Sequence, residues 1–159
     1  MKKDKPFSLI RKLVFVWRKN SNKLCRRTKL GKLSIQLKRS VILIAKNESA
    51  NILECLDSVK FADEWIIVDS GSNDDTVVRS RSFGATVIET DWPGFGPQKN
   101  RALDAATGDW ILSIDADERV TPELANEILH VIHSPDTVDA YEIPINRSIC
   151  HFSVFKLLT

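Results

Sequence analysis

Four apolar runs set the rhythm of this chain, and the segments between them follow a different period. Val41-Ile42-Leu43-Ile44, Trp65-Ile66-Ile67-Val68, Ala85 to Glu89 and Trp110 to Ile114 are near-continuous rather than alternating. That pattern predicts strands covered on both faces. A helix is expected to open at Asn47-Glu48-Ser49, with Ile52, Leu53, Leu56 and Val59 along one stripe. A weaker helix, Thr76 to Phe83, follows a loop rich in cap formers and closes at Gly84. Asp91-Trp92-Pro93-Gly94-Phe95-Gly96-Pro97 reads as an irregular loop, because two prolines and two glycines leave little room for regular structure. Gln98 to Ala106 is a short helix ended at Gly108. Thr121-Pro122, an N-cap with proline at the first helical position, opens a helix carrying Leu124, Ile128, Val131 and Ile132 on one face. The order β-α-β-α-β-α-β-α predicts an α/β fold: a mostly parallel sheet with right-handed crossovers and helices on both faces.

Residues 1–39 carry no sheet pattern. Phe7 to Trp17 suits a short cationic amphipathic helix, with Leu9, Leu13 and Val16 at helical spacing, and residues 18–39 read as a polar, basic and poorly ordered arm. Charge divides the chain at the same place. Residues 1–40 hold 14 Lys/Arg against one acid, Asp4, whereas residues 41–159 hold 9 against 20, so a net charge of +2 conceals two unlike segments. Such an arm suits an anionic membrane surface, or nucleic acid, or is simply a solvated leader. The run Leu13-Val14-Phe15-Val16-Trp17 is too short to span a bilayer, and no small-residue cleavage site follows it. Cys25, Cys55 and Cys150 are widely spaced and form no C-x-x-C pair, which points to a reducing compartment without structural zinc. At 159 residues the chain holds a single core.

The chemistry concentrates at Asp115-Ala116-Asp117-Glu118, directly after the fourth apolar run. Two carboxylates about 4 Å apart repel by roughly 4 kcal/mol at an effective dielectric near 20. A divalent cation removes that cost, and oxygen ligands suit Mg²⁺ or Mn²⁺ that also holds a phosphate. Ligands of open α/β sheets bind outside the carboxyl ends of strands, where this pair falls. A solvated acidic turn is the alternative. Asp69 ends the second strand and could accept a hydrogen bond from a base or ribose, or cap the next helix. Lys99, Asn100 and Arg101 open a helix, where cations and backbone N–H groups favour phosphate, or form a solvated basic turn. No G-x-G-x-x-G follows the first strand and no P-loop is present. Read as a calcium loop, Asp115 to Asn126 lacks the required glycine and terminal glutamate.

Three stretches carry a resemblance. S-V-I-L-I-A-K-N-E-S-A at 40–50, V-D-S-G-S-N-D-D-T at 68–76, and the span from Asp91 to Glu118 containing W-P-G-F-G-P-Q-K-N-R resemble family 2 glycosyltransferases of the GT-A fold, particularly those adding β-linked glucose to inner-core heptose of lipopolysaccharide. The likeness covers about residues 40–148, so the chain divides into a basic arm (1–39), a GT-A nucleotide-sugar domain (40–148) and a non-matching tail (149–159). It implies that Glu48 lines the nucleotide pocket, Asp69 binds uracil, Lys99 lies near the nucleotide, Asp115 contacts the ribose side and Asp117 coordinates Mg²⁺ or Mn²⁺. It implies inverting transfer from a UDP-sugar, UDP-glucose by preference, to a lipopolysaccharide core acceptor, in the cytoplasm or peripherally on the inner membrane, with no nucleic acid involved. The family's acceptor half and its catalytic base do not follow Ser148, so a truncated chain is expected and no base is nominated. The competing readings are an inactive fragment that only binds nucleotide-sugar and a basic-arm binding protein for anionic membrane or nucleic acid. Asp75 stands where many relatives have glycine, which would strain the turn if that position needed positive φ.

Overall fold

Parallel pairing of the four apolar runs builds the centre of the molecule. The computed structural model describes residues 13–19, 37–134 and 140–144. In chain order the elements are β1 (Leu13–Arg18), β2 (Arg39–Ala45), α1 (Ile52–Ser58), β3 (Glu64–Asp69), α2 (Thr76–Phe83), β4 (Thr86–Glu89), α3 (Phe95–Ala105), β5 (Trp110–Ser113), α4 (Pro122–Ile132) and β6 (Ala140–Pro144). The described strands form one sheet ordered β4-β3-β2-β5-β1-β6. β4, β3, β2 and β5 run parallel, in registers such as Ile42↔Ile66, Ile67↔Val87 and Val41↔Leu112.

The apolar runs divide by alternation between the two faces of the sheet. Val41, Leu43, Ile67 and Leu112 pack with Ile52 and Leu56 of α1 and with Leu124, Ile128 and Ile132 of α4. Ile42, Ile66, Val68 and Ile111 point the other way, against Ala102 and Ala106 at the α3 end. Helices therefore cover both faces, as the unbroken apolar runs require.

The first segment departs from expectation. The helix expected over Phe7 to Trp17 is not formed in its described part. Leu13–Arg18 is a strand, antiparallel to β5 on one side and β6 on the other. β-branched and aromatic residues favour a pleated surface, and the free edge of β5 supplies the partner. Residues 13–18 thus belong to the sheet and not to a separate arm. Residues 1–12 and 20–36 lie outside the described residues, as does the tail over 149–159. Just past β1, Lys19 donates its ammonium to the carbonyls of Leu103 (2.8 Å) and Ala106. That places a cation on the carbonyl end of α3, where both the hydrogen bonds and the helix dipole favour it.

Two helix starts also shift. α1 begins at Ile52 rather than near Asn47, because Asn47 has φ 55°, a left-handed conformation outside any helix. α3 begins at Phe95 instead of Gln98, so Gly96 and Pro97 lie in its first turn. Proline is tolerated there because first-turn N–H groups have no intrahelical acceptor. Asp75 has φ −76° and caps α2 without strain, and the positive φ of that loop falls on Gly71.

At the amino ends of the strands a polar lattice closes the sheet. Arg39 grips Asp63 with two guanidinium bonds of 2.8 and 2.9 Å, holding the Asp63 carboxyl below its ordinary value of 3.8. Burial works to raise Glu64, but hydrogen bonds from Ser40 and Thr107 leave it below its ordinary 4.5. Both groups therefore add stability that is complete above those values. It is lost as pH falls through the lower folded-state values, since the unfolded chain takes up protons first. Thermal midpoints measured from about pH 6 to about pH 3 should fall on the acid side, and more shallowly in Asp63→Asn. An identical acid profile in that variant would show that the pair contributes nothing.

Candidate functional site

The carboxyl ends of β2 and β5 open into a cavity of about 420 Å³ lined by Ile44, Ala45, Lys46, Glu48, Trp92, Phe95, Asp115, Ala116 and Asp117. That volume lies within the range of small-molecule sites. Its position follows from the fold, because parallel strands all deliver their following loops to the same edge.

One wall is the loop after β2. The left-handed turn at Asn47 is fastened from the neighbouring loop: Asn47 N–H donates to Ser72 Oγ (2.8 Å) and Asn73 N–H donates to Asn47 Oδ1 (2.8 Å). Glu48 N–H donates to Thr76 Oγ1 (2.8 Å), and Ser49 N–H to Asp74 Oδ2 (3.0 Å). Glu48 reaches the cavity from this fixed backbone, and its Oε2 accepts a bond from Asn51 Nδ2 (3.0 Å). Hydrogen bonds from Thr76 and Ser49 hold the Asp74 carboxyl well below the usual carboxylate range.

The floor is the acidic turn after β5. Glu118 Oε2 accepts the Asp115 N–H (2.9 Å), and Glu118 N–H returns to the Asp115 carbonyl (3.0 Å). Arg119 clamps the same turn through the carbonyls of Ala116 (3.1 Å) and Glu118 (2.7 Å) and ties it to Asn51 O (3.0 Å). Behind it, burial pushes the Cys55 thiol up to about 12, with Glu118, Asp117 and Asp115 adding to the effect against Arg119. Cys55 is therefore a neutral thiol, its Sγ 3.5 Å from the Asp115 carbonyl.

Of the five residues singled out from sequence, the cavity gathers three: Glu48, Asp115 and Asp117. Lys99 adjoins it by pairing with Asp115 (Nζ to Oδ1, 3.0 Å) and Ser113 Oγ (2.9 Å). Asp69 does not line it. That side chain is 1 % exposed. Its Oδ2 accepts the N–H groups of Gly71 (2.9 Å) and Ser72 (2.8 Å), and its Oδ1 accepts the Ser72 hydroxyl (2.5 Å). Asp69 thereby organises the turn that holds the Asn47 loop. The sequence reading missed Lys46, Trp92 and Phe95. The available signal was two large aromatics inside a Gly/Pro-rich loop.

Among the described residues, no group of three or more His, Cys, Asp or Glu side chains could enclose a metal ion. The pair at 115 and 117 instead suits an ion that takes its remaining oxygens from a bound ligand, which is how Mg²⁺ is commonly held. No helix among the described residues is long and apolar enough to cross a membrane.

Residues 40–149 match the family described as glycosyl transferase family 2. A glycosyltransferase of Rickettsia felis is 44% identical over 111 residues, which take in 68% of this chain and 39% of that protein. The lipopolysaccharide core biosynthesis glycosyltransferase LpsC of Rhizobium meliloti is 30% identical over 117 residues, 68% of this chain and 42% of LpsC. Among solved structures, TarS 1-349 of S. aureus superposes with a TM-score of 0.54 at 28% identity, over 60% of this chain and 32% of TarS. The GT-A-like α/β architecture read from the sequence stands. The chain spans about two fifths of the length of the curated relatives it matches.

Proposed function

The chain belongs to glycosyl transferase family 2, and from that premise we propose that it forms the nucleotide-sugar-binding part of an enzyme that transfers glucose from UDP-glucose to a lipopolysaccharide core heptose, with inversion, on the cytoplasmic face of the inner membrane. The observation that carries the donor reading is the Asp115/Asp117 pair at a strand end, lining a cavity that Trp92 and Phe95 also line. The acceptor reading is supported by the resemblance of the 91–118 segment and by the name of the Rhizobium relative.

In this reading Asp117 holds a divalent ion and Asp115, fixed by Lys99, faces the ribose side of the nucleotide. The ion supplies charge neutralisation on the leaving diphosphate. The protein's own contribution is preorganisation. The Glu118 and Arg119 bonds set the backbone of the turn that carries the two carboxylates before any ligand arrives, which limits the reorganisation that accompanies binding. Glu48, on its fastened loop, lines the same cavity from the β2 side.

Calorimetric titration with UDP and UDP-glucose tests the reading directly. Binding is expected with Mg²⁺ or Mn²⁺ and lost on adding EDTA. Equal affinity in EDTA would remove the metal from the account. Failure of both nucleotides to bind under any condition would sink the nucleotide-sugar reading as a whole.

A further inference from the structure

The β4–α3 connection presents two large aromatic side chains to solvent at the rim of the cavity. Trp92 is 46 % exposed and Phe95 71 %, and both line the cavity that Asp115 and Asp117 also line. Their rings meet edge to face, with centroids 4.9 Å apart and planes at 85°. In that arrangement one ring braces the other and keeps an aromatic face open.

The loop that carries them is firmly held. Arg101 binds Asp91 Oδ1 (2.8 Å) and Thr90 Oγ1 (2.9 Å), while the fully buried Gln98 donates to the Asp91 carbonyl (3.0 Å) and to Ser70 Oγ (2.7 Å). Trp92 therefore extends from a fixed base. Position within the fold supplies the rest. In the order β4-β3-β2-β5, the aromatics descend from the β4 side and the carboxylates from the β5 side, so a ligand laid across the strand ends meets them at opposite ends. A nucleoside diphosphate has the same polarity, with a flat ring at one end and anionic groups at the other.

We propose that Trp92 and Phe95 form the stacking platform for the donor's nucleobase, a proposal that rests on the nucleotide-sugar reading above. Base–aromatic stacking needs only a π face, so the platform fixes where the ring lies and leaves the choice of base to other contacts.

The test titrates the full chain in Mg²⁺ with UDP, UMP, UDP-glucose and pyrophosphate. Trp92→Ala and Phe95→Ala should each weaken UDP and UMP by about 5- to 150-fold and leave pyrophosphate unchanged. Trp92→Phe should retain most of the affinity, which guards against a folding defect in the alanine variant. Unchanged UDP affinity in the double alanine variant would overturn the proposal. So would an equal loss for pyrophosphate, which would mean that the pair only shapes the loop. A loss confined to UDP-glucose, with UDP unaffected, would move the platform to the sugar ring and reject the base assignment. If the unaltered chain binds pyrophosphate and nucleotides alike with equal affinity, no base site exists. If it binds none of them, the underlying reading fails first and takes this proposal with it.

Discussion

Asp117→Ala is expected to lower affinity for UDP in Mg²⁺ or Mn²⁺ by about 100-fold, and to leave the residual affinity indifferent to EDTA. Asp117 lines the cavity on a turn locked by Glu118 and Arg119, so its carboxylate has a fixed place from which to hold an ion. Removing it separates the diphosphate charge from the protein at a cost of about 3 kcal/mol, the usual scale for breaking one partner of a desolvated charged contact. Asp115→Ala should behave differently. Its carboxylate also pairs with Lys99, so that variant should lose folding stability along with affinity. Calorimetry with and without chelator, beside thermal melts of both variants, separates the two roles. Metal-dependent binding of UDP by Asp117→Ala at unaltered strength would exclude Asp117 as the ion's anchor.

Gly108→Ala should be among the most destabilising single changes in the described fold. A Cβ at Gly108 would stand 2.5 Å from Ser40 Oγ, 2.7 Å from Ser40 N and 3.0 Å from Lys38 O. Two of those atoms are backbone and cannot swing aside. The same site donates its own N–H to Ser40 Oγ (2.8 Å), and that hydroxyl donates to Glu64 (2.5 Å), so any shift propagates into the polar lattice. Overpacking of this kind costs about 3 kcal/mol, a large share of the roughly 5–15 kcal/mol that holds an ordinary domain together. Gly96→Ala is the matched control, since a Cβ there meets nothing within 4 Å and the position is helical. Denaturant midpoints should drop sharply for the first and hardly move for the second. Equal midpoints would show that the strand ends yield to accommodate the methyl group.

The sequence made the parallel core legible because each of its strands is buried on both faces and so reads as an unbroken apolar run. It also placed Asp115 and Asp117 at a strand end, since that edge of a parallel sheet is where connecting loops converge. β1 was not legible. A five-residue run such as Leu13 to Trp17 fits helix or strand equally by period, and the partners that decide the matter lie roughly a hundred residues later. Pro97 was misread as a helix breaker because only the position of the first turn distinguishes a tolerated proline from a disruptive one. Lys99 was legible as a cation near the site, but its engagement with Asp115 depends on how α3 packs across β2 and β3, which no local pattern states. The local bonds of Asp69 were not legible either, because a carboxylate at a strand end serves its own loop as readily as a ligand.

The place of β1 in the sheet bears on the order in which the protein assembles. The strands β2, β3 and β4 pair with close neighbours in sequence, so that portion can form as the chain emerges. β1 is synthesised before all of them, yet its hydrogen-bonding partners are Trp110 to Ser113 on one side and Ala140 to Pro144 on the other. The first of the described strands therefore cannot dock until β5 has been made, and β6, which pairs with β1, follows it. Loop closure of that length makes such pairing intrinsically slow. During that interval the edge of β5 is open and Val16, buried in the finished sheet, is exposed to water. A newly made chain thus passes through a state with an unpaired strand edge and an exposed apolar face, the kind of species that is prone to aggregate until the edge is covered.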